Sequence, residues 1–354
     1  MKHTTSRAKM GTGIDGPVSG RQVIVTGGLG FIGSALCERL LRAGETVTIV
    51  DSLVSNVVTP AHFTSRFPQA RVQVATVADF FAQPPALSRG DLVFHAASLV
   101  GPAGILAYAG TIGADLVQST SGVVNACVRS GAALVYMSSA EIYGRSGVLD
   151  ETADARVPAR YNARIEYALG KLTCEAMIAN SRQRGLRATI IRPFNVVGPR
   201  QNRAGGFVMP TFVQQALAGE AITVFGSGQQ QRAFTAVDDV VAFLCTQAIA
   251  ALDGEEFVFN VGNPHNSISI IDLARRMVRL LNSRSEILFT SGDKVHGPLY
   301  FEAESFEKLP DIGRALQAGW SPTRSLDDVI LDTARFYRAG GGPDQGTDVR
   351  DHAA

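Results

Sequence analysis

The chain has 354 residues, 45% of them hydrophobic and 18% charged, enough apolar material for a buried core and too much for a mainly disordered protein. Thirty-three basic and thirty-two acidic side chains leave a formal charge of +1, which gives no footprint for nucleic acid or an anionic membrane. No stretch approaches the ~18 apolar residues of a membrane span, and Cys37, Cys127, Cys174 and Cys245 lack metal-ligand spacing, so they read as reduced thiols of a cytoplasmic protein without a metal site.

Residues 1–20 and 339–354 are polar and glycine-rich and are expected to be disordered tails. Between them, apolar runs of strand length alternate with helical periods. QVIVT (22–26), TVTIVD (46–51), RVQVA (71–75), DLVFHAA (91–97), ALVYMSS (133–139) and LRATIIRP (186–193) read as strands. Helical segments separate them: 31–44, one ending in GVVNACVRSG, and one from about 161 to 184. Such alternation predicts an α/β fold with a Rossmann-type, doubly wound parallel sheet. After Pro193 the rhythm breaks: 196–235 is loop-rich with one helix near 207–219, further helices begin near Val237, Ser269 and Ser325, and EFVFNVG (256–262) reads as another strand. The expected organisation is a dinucleotide-binding domain over 21–195 plus about 236–262, with a smaller C-terminal α/β substrate lobe over 196–235 and 263–338.

VIVTGGLGFIGS spaces Gly27, Gly30 and Gly33 three apart, and Gly28-Leu29-Gly30-Phe31-Ile32-Gly33 satisfies GxGxxG between a strand and a helix. A pyrophosphate needs that tight turn, a backbone without Cβ facing it, and a helix N-terminus of unsatisfied N–H groups. Asp51 ends the next strand, 18 residues beyond Gly33. An acid there binds both ribose hydroxyls and repels a 2′-phosphate, so the cofactor expected is NAD rather than NADP.

EYALGKL places Tyr167 and Lys171 four apart on one helix face, and Ser138-Ser139 end the fifth strand in YMSSAEIYG. An alcohol oxidation needs a base as hydride leaves. A free phenol titrates near ~10, and a neighbouring ammonium with a positive nicotinamide ring is expected to lower it toward working pH. A serine hydroxyl holds the same substrate oxygen.

In their order, TGGLGFIGS, Asp51, FHAAS (94–98), YMSSAEIYG, YALGK, IIRPFNVVGPRQ (190–201) and GSGQQQRAF (226–234) resemble the extended short-chain dehydrogenases, and within them the NAD-dependent nucleotide-sugar epimerase/dehydratase/decarboxylase branch. The resemblance runs from about Val23 to Tyr337. It implies a nucleotide diphosphate sugar as substrate and a homodimer. It makes Tyr167 the base, Lys171 its partner and ribose ligand, and Ser139 the hydroxyl that orients the sugar, with Ala96 and Ala97 beside the cofactor. Asn195 and Arg232, with Arg200 as a further candidate, would hold the diphosphate; the Arg in its glycine- and glutamine-rich loop suits bidentate phosphate binding. The chain departs from the family pattern at Ala75-Thr76, Asp115, Val197 and Ala233.

By the same resemblance, hydride removal from the sugar C4 gives a 4-keto intermediate with three outcomes: epimerisation, 4,6-dehydration, or loss of a C6 carboxylate. Glu141 stands where dehydratases and sugar-acid decarboxylases carry a glutamate, a candidate base at C5, while Ala140 removes the acid that one dehydratase group places beside it. FEKLPDI resembles the decarboxylase group, whose arginine ahead of Pro-Asp is Lys308 here. The leading expectation is 4-epimerisation, which needs only Ser139, Tyr167 and Lys171, with decarboxylation or dehydration as the alternative. A short-chain reductase of an apolar ketone has no diphosphate for Arg232 to bind, and an idle NAD-binding scaffold has no need of the Ser/Tyr/Lys set.

Overall fold

The computed structural model describes residues 21–341 apart from 84, 145–146, 159–160 and 292–305; the expected tails lie outside the described residues except at 339–341. The first half of the chain runs β1 (Gln22–Thr26), α1 (Phe31–Arg42), β2 (Thr46–Asp51), α2 (Pro60–Thr64), β3 (Ala70–Val74), α3 (Val77–Ala82), β4 (Leu92–His95) and α4 (Gly101–Ala107). It continues with α5 (Ile112–Ser130), β5 (Ala133–Met137), β6 (Gly147–Leu149), α6 (Ala163–Arg182) and β7 (Ala188–Pro193). Seven strands form the central sheet in the order Val258–Val261, β7, β5, β4, β1, β2, β3, all parallel. The order in which successive strands are added reverses between β1 and β4, and ligands of such sheets bind at that switch point, outside the carboxyl ends.

Alternation along the strands sends side chains to two helical layers. Val23 and Val25 pack with Leu36, Leu40 and Phe243 under α1 and the helix Val237–Cys245, while Ile24, Val93 and Leu134 pack with Val123, Cys174 and Ile178 under α5 and α6. All four cysteines are buried and unpaired in these layers. Local chemistry fixes the helix ends: Gly131 stops α5 at φ 75°, and Asn162 starts α6 by accepting from Ile165 N–H. Among the described residues no helix is long and apolar enough to cross a membrane.

The second layer of the protein is built on a four-stranded sheet, Ser267–Ser269, Gln231–Ala233, Glu307–Pro310 and β6. One of its strands, β6, comes from the first half of the chain. A separate apolar core, including Met209, Phe212, Val224, Leu273 and Ile330, backs this sheet. In the other direction, Ala315 and Trp320 return from the C-terminal part to the main core, where Trp320 meets Phe243 edge-to-face and donates to the Asp239 carbonyl.

A buried ionic network joins β5, β7, α6 and the outer strand. Arg192 donates Nη2 to Glu175 Oε2 at 2.7 Å and Nη1 to the Tyr143 hydroxyl at 3.0 Å; that hydroxyl donates to Asn260 at 2.7 Å. Glu175 also accepts from the Ser138 hydroxyl. Removing one member of a buried pair strands the other charge. Arg192→Leu is therefore expected to lower unfolding stability by about 3–5 kcal/mol, read from urea unfolding; a change below about 1 kcal/mol, the range of exposed pairs, counts against a buried network.

Candidate active site

A cleft of about 1110 Å³ opens at the carboxyl ends of the central strands and runs on under the second layer. It is lined by the glycine loop and Asp51 at one end, by Ser139, Glu141, Tyr167 and Lys171 in the middle, and by Asn195, Arg232 and Lys308 at the far side. Ala96 and Ala97 line it after β4.

The glycine loop is shaped by close approach. Gly27 has φ 68°, and a Cβ on it would lie 2.7 Å from Ala97 Cα; a Cβ on Gly33 would lie 2.0 Å from the Gly27 carbonyl oxygen. The turn thus brings α1 directly under the loop. Gly30 begins α1 with no side-chain cap and no acid in the first turn, so Phe31, Ile32 and Gly33 open the helix toward the cleft with the positive end of its dipole. Asp51 accepts from Leu29 N–H and Leu53 N–H, both at 2.9 Å. Burial raises its pKa while those backbone bonds pull it down. A carboxylate fixed through two amides keeps acceptor capacity for a ribose diol. An uncapped helix N-terminus, glycines where a Cβ would clash and a fixed acid together fit a dinucleotide, and they are the residues that would hold NAD.

α6 carries Tyr167 and Lys171, both almost fully buried. Lys171 Nζ donates to the Met137 carbonyl at 2.7 Å and stands 5.9 Å from the Tyr167 ring centroid. Burial lowers Lys171 to about 8, with Cys174 and Glu175 opposing the shift. His95, behind it, is pushed down to about 3 by burial and by the Lys171 charge, and is neutral between Thr26 Oγ1 at 2.7 Å and Thr120 Oγ1 at 3.2 Å.

The described groups of the protein do not by themselves lower the Tyr167 phenol. Burial pushes the phenol up to about 12; hydrogen bonds with Ser139 and Ser98 oppose the shift and the Glu141 charge adds to it. Within the protein's own groups Tyr167 is a neutral phenol at working pH.

Ser139, two residues past the end of β5, caps a short turn over Ala140–Tyr143, accepting from Glu141 N–H at 3.1 Å. That cap turns the Glu141 carboxylate toward two cations. Lys308 Nζ is 2.6 Å from one oxygen and Arg164 Nε 3.3 Å from the other. Burial works against the anion, but Arg164 and Lys308 together, with Arg232 adding to them, hold its pKa down to about 2. Burial also lowers Lys308, with Glu141 opposing. Parallel pairing sets Arg232 and Lys308 in register on adjacent strands, and Arg232 is anchored by Nη1 to the Gln231 and Phe306 carbonyls.

Two predicted diphosphate ligands are placed differently from each other. Asn195 is at the cleft with φ 36°, its amide nitrogen donating to the Ala233 carbonyl at 3.1 Å. Arg200 is not brought to the cleft. Its guanidinium is 2.8 Å from Glu38 on α1, a carboxylate that also accepts from Arg42 and meets His62. Its side chain is committed to that cluster. Sequence reasoning missed Arg164 and Ser98. Arg164 had a usable signal: it precedes Tyr167 by three and Lys171 by seven, which is one face of a helix. Ser98 sits in FHAAS with no periodicity to mark it.

The sequence profile of the family described as "NAD dependent epimerase/dehydratase family" matches residues 23–262. The chain is 30% identical over 328 residues to UDP-glucuronic acid decarboxylase 1 of Xenopus tropicalis, spanning 90% of this chain and 72% of that one. It is 28% identical over 324 residues to the UDP-N-acetyl-alpha-D-glucosaminuronate decarboxylase of Bacillus cytotoxicus, covering 90% and 98%. Its fold matches that of a UDP-N-acetylglucosamine 4-epimerase from Methanobrevibacter ruminantium with a TM-score of 0.76 at 24% identity, covering 90% and 99%. The glycine loop, the fixed acid and these matches lead to one conclusion: the chain belongs to the NAD-dependent epimerase/dehydratase family and is an enzyme whose cofactor is NAD.

Proposed function

We infer that the enzyme acts on a nucleotide diphosphate sugar bearing a C6 carboxylate, oxidising C4 and releasing C6 as carbon dioxide. The observation that carries this reading is the ion-paired state of Glu141. Dehydration needs a base at C5 and an acid at the C6 hydroxyl. A carboxylate held at about 2 is a poor base, and Ala140 offers no acid. Loss of carbon dioxide from a 4-keto sugar acid needs neither. The curated relatives of known name that align over 90% of the chain include decarboxylases of sugar acids, which supports the same reading.

Bound NAD supplies the hydride acceptor for C4 and its later return. Ser139 holds the C4 oxygen; the Lys171 ammonium and the positive charge of the nicotinamide ring would lower the Tyr167 phenol so that, as the phenolate, it takes the C4 proton. With C4 a ketone, the C5–C6 bond breaks, carbon dioxide leaves, and the electron pair moves to the C4 oxygen as an enolate. Lys308, an ammonium with a lowered pKa beside Glu141, gives a proton to C5, and Tyr167 returns its proton as C4 becomes an alcohol again. The second reading, 4-epimerisation, draws on Ser139, Tyr167 and Lys171 alone, all of which line the cleft.

NAD-loaded protein incubated with UDP-glucuronate is expected to release one carbon dioxide for each sugar consumed and to leave a UDP-pentose. Accumulation of UDP-galacturonate, with C6 retained, would overturn decarboxylation in favour of the second reading. Tyr167→Phe is expected to lower kcat about 10²–10⁴-fold; unchanged turnover removes the phenol from the mechanism. The Glu141 pair also has a pH signature. Its folded pKa lies below the ordinary carboxylate value of about 4.3, so its stabilisation is complete above that value and is lost as pH falls toward about 2. The stability gap between wild type and Glu141→Gln, read from urea midpoints, is expected to narrow from about pH 5 downward; a gap independent of pH contradicts the ion-paired state.

A further inference from the structure

Lys171 is buried, and burial works against its charge. Its hydrogen bond goes to the Met137 carbonyl at 2.7 Å. The carboxylate one turn on, Glu175, is engaged elsewhere: Arg192 takes both of its oxygens through Nε and Nη2, and the Ser138 hydroxyl donates to one of them. What faces the ammonium is aromatic. Nζ stands over the Tyr136 ring at 4.9 Å from its centroid and over the Tyr167 ring at 5.9 Å, within the ~6 Å at which a ring face attracts a cation.

Tyr136 is the nearer of the two, and unlike Tyr167 it does not line the cleft. It is buried on β5, and among the described residues its hydroxyl has no hydrogen-bond partner. The neighbours Thr120 and Cys174 are committed, one to His95 Nε2 at 3.2 Å and the other to the Leu116 carbonyl at 3.4 Å. A buried hydroxyl without a partner is unfavourable, so the part of this side chain with work to do is its ring. Parallel pairing sets Tyr136 opposite His95 on β4, with ring centroids 5.6 Å apart. His95 is held neutral between two threonines and adds no competing cation. The titratable groups around Lys171 are thus His95 from β4, Tyr136 from β5, and Tyr167, Cys174 and Glu175 from α6.

We propose that Tyr136 is a positioning residue: the face of its ring, braced by His95, keeps Lys171 protonated beside Tyr167, where the Glu175 carboxylate is already engaged. A desolvated ammonium gains most from such a face. The proposal rests on the C4 oxidation common to both readings above and not on which product follows.

The lysines of the chain are Lys2, Lys9, Lys171, Lys294 and Lys308, so carbon-13 NMR of NAD-loaded protein labelled at lysine Cε can follow Lys171, its signal identified by its absence from Lys171→Met. Tyr136→Phe keeps the ring and is expected to leave the Lys171 titration where it stands in wild type. Tyr136→Leu removes the face and is expected to lower it by about one pH unit or more. Tyr136→pentafluorophenylalanine keeps the outline of the ring and reverses its electrostatics; it is expected to lower the titration as well, and it decides the matter if the Leu variant does not fold. An ammonium so lowered loses its proton sooner, so in those variants the fall of kcat for UDP-glucuronate at high pH is expected to begin about one pH unit lower. A Lys171 titration unmoved by loss of the ring face, or moved equally by Tyr136→Phe, overturns the proposal. So does a moved titration with an unmoved fall of kcat. Absence of any turnover of UDP-glucuronate overturns the sugar-acid reading instead, and the NMR titration, which needs no substrate, then decides the role of Tyr136 alone.

Discussion

The centre of this molecule is a single carboxylate on which distant segments converge. Glu141 is presented by the turn after β5, Arg164 by the helix that carries Tyr167, and Lys308 by a strand of the second layer more than a hundred and sixty residues later in the chain than Glu141. None of these side chains has a reason to be buried alone, since an isolated charge in the interior is strongly unfavourable. Together they hold one another, and in doing so they fix how the second layer closes over the central sheet. The same arrangement keeps Glu141 ionised and so withdraws it from proton abstraction.

A second constraint acts beneath the cleft. Ser138 is bonded to Glu175, Glu175 to Arg192, and Arg192 to Tyr143 and the Glu151 carbonyl. Ser139, which faces the cleft, is the next residue. The position of the Ser139 hydroxyl at the cleft is therefore inherited from a closed, buried ionic chain rather than from a loop. Lys171, four residues before Glu175 on α6, is tied to the carbonyl of Met137, so serine and lysine are referenced to the same strand end.

The parts of this architecture that were legible in the sequence are those set by neighbours in the chain. QVIVT, the glycines that follow it and the helix after them announce themselves because strand period, turn chemistry and helix period are local properties. Asp51 was legible for the same reason: it ends a strand. The Glu141–Lys308 contact was not, because it depends on pairing between Gln231–Ala233, Glu307–Pro310 and β6, and register between strands so far apart has no signature in either segment. Arg200 shows the converse. Its motif placed it near a phosphate, yet at φ 70° the backbone turns its side chain to Glu38 on α1. The phenol of Tyr167 illustrates a third limit. Spacing put Lys171 beside it, but spacing does not say which acceptor the ammonium chooses or how much water burial removes.

The crossing of the chain between its two layers has a consequence for how this protein can be altered. Because β6 completes the outer sheet while Trp320 and Ala315 complete the inner core, no single cut in the backbone separates a cofactor half from a substrate half. Recombination at one junction with another member of the family would leave each hybrid with an outer-sheet edge and an inner-core plug drawn from a different parent than the layer they complete. New substrate preferences in this scaffold are therefore reached by changing side chains in place, or by exchanging several short stretches at once, and not by swapping modules.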